Sequence, residues 1–117
     1  MVITEHKLEV VEQAIKYWED YPDRWVKGTM GYIGSGVCLM GNIAWHTDMQ
    51  NYQRALFRDA KQMIAQLTSP AQPSISYYND HVCTSVKDAL VPLYMLRDAY
   101  RAELAPVAVT PHEYNLV

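Results

Sequence analysis

Apolar residues recur at helical spacing in four stretches of the chain. In the first, Leu8, Val11, Ile15 and Trp18 share one face, with Glu5, Glu9, Glu12 and Lys16 elsewhere. This pattern predicts an amphipathic helix with one buried side. The helix is expected to start with Thr4 as its N-cap and to run to Glu19, with Ile3 and Leu8 placed as a hydrophobic staple. Asp20-Tyr21-Pro22-Asp23 stops it, because the residue before a proline avoids the helical region. A loop with Gly28, Gly31, Gly34 and Gly36 follows, a strong breaker of regular structure.

The second helix is expected from Ser35 or Gly36 to Trp45 or His46. Val37, Cys38, Met40, Ala44 and Trp45 make it apolar almost all round, as befits a central helix. Gly41 inside it costs roughly 1 kcal/mol relative to alanine, which points to another backbone packed closely there. Thr47 and Asp48 are N-cap candidates for a third helix running to Leu67. Leu56, Ala60, Met63, Ile64 and Leu67 form its apolar stripe, and Arg54, Arg58 and Lys61 share a separate face.

Residues 68–74 read as a turn-forming linker, and residues 75–81 as either an extended strap or a single helical turn. The fourth helix carries the stripe Ala89, Leu93, Leu96, Tyr100 and Leu104. Ser85 with Asp88 resembles a capping box, with Asp in place of the usual Glu or Gln. Pro92 lies inside the stripe and is expected to kink the helix or displace its start. The expected fold is therefore all-α: a compact bundle of four main helices with a glycine-rich loop before the central one. Residues 1–105 form a single helical domain. Residues 106–117 form an apolar extended tail, docked on the body or on a partner such as a second copy.

Composition changes the picture in two ways. Nine Tyr and three Trp against one Phe favour half-buried positions and binding surfaces, because these rings keep a polar handle. A net charge of −3, from 10 basic and 13 acidic residues, argues against a nucleic-acid or anionic-membrane surface. No apolar run has the length of a membrane span, and the N-terminus lacks the blocks of a signal peptide. Two cysteines do not make a secreted disulfide framework, so a cytoplasmic chain with reduced thiols is expected.

Five groups of residues are candidates for chemistry. Cys38, expected in the first turn of a helix, would feel the helix dipole and favour the thiolate. His46 or His81 would act as base, with Asp80 orienting it. The competing and preferred reading is a small buried hydrophobe. Cys38, His46, His81 and Cys83 have the types of a zinc set but not its paired spacing, so no metal or other cofactor is expected. The glycine loop lacks the Gly-Lys-Ser/Thr ending of a phosphate loop and reads as a connector. Arg54, Arg58 and Lys61, with Trp25 or Tyr52 near, would meet phosphates or an acidic partner, or form a solvated face beside Asp59. Tyr77-Tyr78-Asn79-Asp80 reads first as an aromatic and polar lock and second as the centre of a recognition surface.

The order Trp25-x-Lys27-Gly28, Cys38-x-x-Gly41, Tyr78-Asn79-Asp80, then Thr84 and Asp88 before a final apolar helix, resembles a family of small helical proteins from actinobacteria and their phages. The family pattern reads Trp-x-Lys/Gln-Gly, Cys-x-x-Gly-Ala and Trp-Asn-Asp, and the likeness covers roughly residues 25 to 100. Here Asn42 stands in place of the alanine and Tyr78 in place of the tryptophan. The resemblance implies a helical phage accessory protein and brings no activity. The expected function is thus non-enzymatic binding of a protein, such as a host protein, through Trp25, Tyr77, Tyr78, Asn79, Asp80, Arg54 and Arg58. A cysteine-dependent hydrolase or transferase built on Cys38, His81 and Asp80 is the alternative, and a nucleic-acid-associated factor a third reading.

Overall fold

In the computed structural model, residues 3–48, 50–68 and 73–105 are described. The expected tail (106–117) and most of the expected linker (69–72) lie outside them. Helix α1 spans Ile3–Asp20, α2 Leu39–Trp45, α3 Gln50–Thr68, the short α4 Ile75–Tyr77 and α5 Val86–Leu104. The described residues are mostly helical, as expected, with one short helix more than the four main ones.

Helices α1 and α5 run antiparallel along the body. Thr4 Oγ1 donates to Glu103, Arg101 to Glu12, and Tyr94 OH to Glu19, so the sequence order reverses across the pair. Thr4 therefore sits within α1 with its hydroxyl on α5, and does not cap the helix as expected. Val11, Ala14 and Trp18 of α1 meet Leu56, Ala60 and Ile64 of α3 and Ala89, Leu93 and Leu96 of α5 in one buried core. Each large side chain among them contributes roughly 1.5–3 kcal/mol by leaving water. Leu67, the expected end of the α3 stripe, is instead exposed.

The same three helices are pinned by polar groups. Lys7 Nζ donates to Asp59 Oδ2 at 2.8 Å, and Tyr100 OH donates to the same oxygen at 2.6 Å. The ammonium also lies 4.7 Å from the centre of the Tyr100 ring. Lys7 is buried and Asp59 nearly so, which makes the charge pair part of the packing.

The glycine loop is the main departure from the expected all-α fold. Strands β1 (Gly31–Tyr32) and β2 (Gly36–Val37) pair antiparallel, and Trp25 bridges to Val37 on the other side. Gly31, at φ 78°, lets its backbone press on Gly36; a Cβ there would overlap the Gly36 carbonyl oxygen. Residues 35–37, read as the start of the second helix, are thus committed to a turn and a strand. Helix α2 begins only at Leu39, with Cys38 as its extended N-cap. The expected close approach at Gly41 is present, against the Met30 carbonyl oxygen.

Two capping expectations are also revised. Thr47 Oγ1 bonds back to the Ile43 carbonyl at 2.6 Å, which terminates α2 rather than starting α3. At α5 the Asp88 carboxylate accepts from the backbone N–H and the hydroxyl of Thr84, one residue before Ser85, whose side chain makes no cap bond. Pro92 stays inside α5, and the helix begins six residues ahead of it, at Val86.

Candidate functional site

Residues 75–82 form a helical turn, one of the two forms expected. Ser74 caps it by accepting from Tyr77 N–H, and the chain then widens into a π-helical turn over Tyr78–Val82. That wider turn aims successive side chains differently from an α-helix, and π turns are common at functional sites. Tyr78 and Asn79 point inward and are buried, whereas Tyr77 and His81 are exposed, their ring centres 4.8 Å apart and their planes tilted by 40°.

Asn79 is fully buried, and its side-chain amide accepts two hydrogen bonds and donates two. Its Oδ1 accepts from Trp25 Nε1 at 2.7 Å and Leu39 N at 3.0 Å. Its Nδ2 donates to Val26 O at 3.0 Å and Asp80 Oδ1 at 2.8 Å. Asp80 Oδ1 also accepts from Gly28 N at 3.0 Å. One amide thus joins the loop, the start of α2 and the π turn. The short motifs of the sequence, Trp25 to Gly28, Cys38 to Gly41 and Tyr78 to Asp80, are brought together here. The N–H bonds from Gly28 and Asn79 hold the Asp80 carboxyl below its ordinary range, against a smaller opposing effect of burial.

Beside this lock lies a recess of about 220 Å³ lined by Gly28, Thr29, Met30, Cys38, Ser76 and Asp80. Met30 also lines a shallow groove of about 330 Å³ with Ala44, Trp45 and Thr47. Met30 is 45% and Trp45 50% exposed, and Tyr32 at the hairpin tip is 72% exposed. Trp45 was expected in the core. It falls in the last turn of a helix that starts at Leu39 rather than at Ser35 or Gly36 and buries Leu39, Asn42 and Ile43 instead.

The other expected site residues are dispersed or enclosed. Cys38 is buried, and its Sγ accepts from Gly41 N at 3.3 Å as a cap. His46 Nδ1 donates to Asn42 O at 2.8 Å, and His81 lies on Tyr77, so neither imidazole is hydrogen-bonded to the thiol. Among the described residues no group of three or more His, Cys, Asp or Glu side chains is placed to hold a metal ion. Tyr78 and Asn79 are interior, which fits the lock reading and removes them from the expected binding surface. Trp25 is half-buried, with Lys27 over its ring at 5.4 Å. Arg54 and Arg58 are exposed on α3, and Arg58 lies 3.6 Å from Asp59.

Sequence reasoning missed Thr29, Met30 and Ser76. The only signal was a methionine set among glycines, where no periodicity assigns it to a core. No protein-family model matches the chain, and no curated protein or solved structure matches it. No helix among the described residues is long and apolar enough to cross a membrane.

Proposed function

We propose that this chain is a non-enzymatic protein-binding domain, of the phage accessory kind that the resemblance implies, acting on a host protein. The observation that carries the reading is the groove shared by Met30 and Trp45, each about half exposed on a backbone held in place by its own hydrogen bonds. Cys38 N–H donates to Met30 O, and Gly41 packs on that same carbonyl, so the groove walls are held before a partner arrives. Large apolar side chains exposed together on a rigid frame are the usual centre of a protein interface, where pre-ordering lowers the cost of association. The cysteine-dependent alternative lacks comparable support, because the Cys38 thiol serves as a helix cap without an imidazole bonded to it.

Affinity capture from the natural host tests this, with the tagged chain compared to Trp45→Ser, Met30→Ser and Arg54→Ser/Arg58→Ser variants. The expected result is a protein retained by the parent and the arginine variant and lost from both groove variants. Equal retention by all four, or loss only from the arginine variant, overturns the proposal.

A further inference from the structure

The recess next to the groove is lined by Asp80, whose carboxylate forms no close ion pair among the described residues although Lys27 and His81 lie in its neighbourhood. Asp80 Oδ1 is saturated by Gly28 N–H and Asn79 Nδ2–H, which leaves Oδ2 as the acceptor available to a visitor. Among the described residues Asp80 makes no ion pair; the nearby Lys27 ammonium stands over the Trp25 ring instead. Ser76, one turn before Asp80 on the same helical segment, and Thr29 of the glycine loop line the same recess. Thr29 Oγ1 accepts from Gly31 N at 3.3 Å, which holds that hydroxyl in place.

Size and geometry narrow the visitor. A recess of about 220 Å³ falls below the roughly 300–1,000 Å³ of small-molecule pockets and suits a single side chain. The polar lining residues are one carboxylate, with Oδ2 unbonded, and two hydroxyl side chains, drawn from the loop and the helical turn. Three single acceptors of this kind suit the three donors of a primary ammonium. A guanidinium pairs best with two parallel carboxylate oxygens, and here Oδ1 is already taken. The net charge of −3 adds a weak general attraction for a cation.

We propose that this recess receives the ammonium of a lysine side chain on the protein partner, next to an apolar residue seated in the Met30–Trp45 groove. The proposal rests on the protein-binding reading and gives it a chemistry: a lysine and an apolar side chain presented together, on either side of Met30.

The test uses Nα-acetyl-lysine methylamide as probe, followed through the backbone amide resonances of the full chain. The probe is expected to shift Gly28, Thr29 and Ser76 in a saturable way. Its Nε-acetylated form, which lacks the charge, is expected to bind at least about tenfold more weakly. Asp80→Asn keeps an oxygen for Gly28 N–H and Asn79 Nδ2–H and removes the charge, and it is expected to lower affinity by a similar factor. Equal shifts from the charged and acetylated probes overturn the assignment whether or not the variant folds. Preferential binding of Nα-acetyl-arginine methylamide overturns it as well, as does an unchanged response in a folded Asp80→Asn. Failure here is separable from failure of the function: if Trp45→Ser abolishes host-protein capture while Asp80→Asn does not, the interface stands and the lysine falls.

Discussion

The Tyr78 hydroxyl donates to the backbone carbonyl of Asp88 at 2.7 Å. That carbonyl would ordinarily accept from the N–H four residues on, but residue 92 is proline and has none. The tyrosine supplies the missing donor, and a proline inside α5 is tolerated where it would otherwise leave an orphan acceptor. Burial, with smaller effects of Cys83 and Asp88, raises the Tyr78 pKa well above the usual tyrosine value, so the donor stays protonated. Tyr78→Phe is expected to lower stability by about 1–2 kcal/mol in urea denaturation. In a Pro92→Ala background, where the helix provides its own N–H, the same change is expected to cost measurably less. Equal costs in the two backgrounds would uncouple the pair.

Asn79→Ala removes four hydrogen bonds at once and strands the Leu39 N–H and the Trp25 indole N–H. Unpaired buried donors cost about 1–3 kcal/mol each, so a loss of at least about 3 kcal/mol is expected. Hydrogen exchange should show Gly28 and Leu39 losing protection before the α1–α5 core. Protection that falls uniformly across the chain would argue that the lock is not a separate unit.

The Lys7–Asp59–Tyr100 cluster ties stability to pH. Burial alone would raise the Asp59 pKa, but the hydrogen bonds from Lys7 and Tyr100 outweigh it and lower the value. A folded pKa below the unfolded one stabilises the protein above the ordinary carboxylate range, and that contribution is lost as pH falls through the folded value. Tyr100 is shifted the opposite way, first by burial and then by its bond to Asp59. Its contribution is present below the usual tyrosine pKa of 10.0 and is lost as pH rises beyond it. Urea midpoints followed from pH 7 towards pH 2 should fall more steeply for the parent than for Asp59→Asn. At neutral pH, Asp59→Ala leaves a buried ammonium without its acceptor and is expected to cost about 3–5 kcal/mol.

Two glycines are expected to respond oppositely to alanine. Gly41→Ala gains helix propensity but drives a methyl group into the Met30 backbone, which has no side-chain rotamer to yield. A net loss of about 1–3 kcal/mol is expected. Gly34 has open space around it and needs no left-handed conformation, so Gly34→Ala is expected to be neutral or to stabilise by up to about 1 kcal/mol. Thermal unfolding of the two variants checks both signs.

Both thiols are expected to be unreactive in the folded state. Cys38 and Cys83 are buried, and burial pushes the Cys83 thiol up to about 11, against a smaller lowering by Tyr78. Iodoacetamide at neutral pH should modify neither until urea unfolds the chain. Rapid labelling of Cys38 alone would revive the nucleophile reading.

The sequence by itself determined the long helices, because a stripe such as Leu56, Ala60 and Ile64 or Ala89, Leu93 and Leu96 repeats at the helical period whatever it packs against. It also determined that Gly41 faces a close backbone, since glycine in a helix interior otherwise only weakens it. The glycine loop was decided by tertiary structure. The glycines around residues 35–37 weaken a helix there without dictating a strand, and the strand forms because Gly31 and Trp25 offer partners to Val37 on both sides. The direction of each side chain in Tyr77-Tyr78-Asn79-Asp80 was decided the same way. A π turn has no signature period, and only the packed loop supplies the donors and acceptors that draw Asn79 inward and engage one oxygen of Asp80. Periodicity is a property of neighbours along the chain, whereas a hydrogen-bond hub depends on segments some 50 residues apart, as from Trp25 to Asn79.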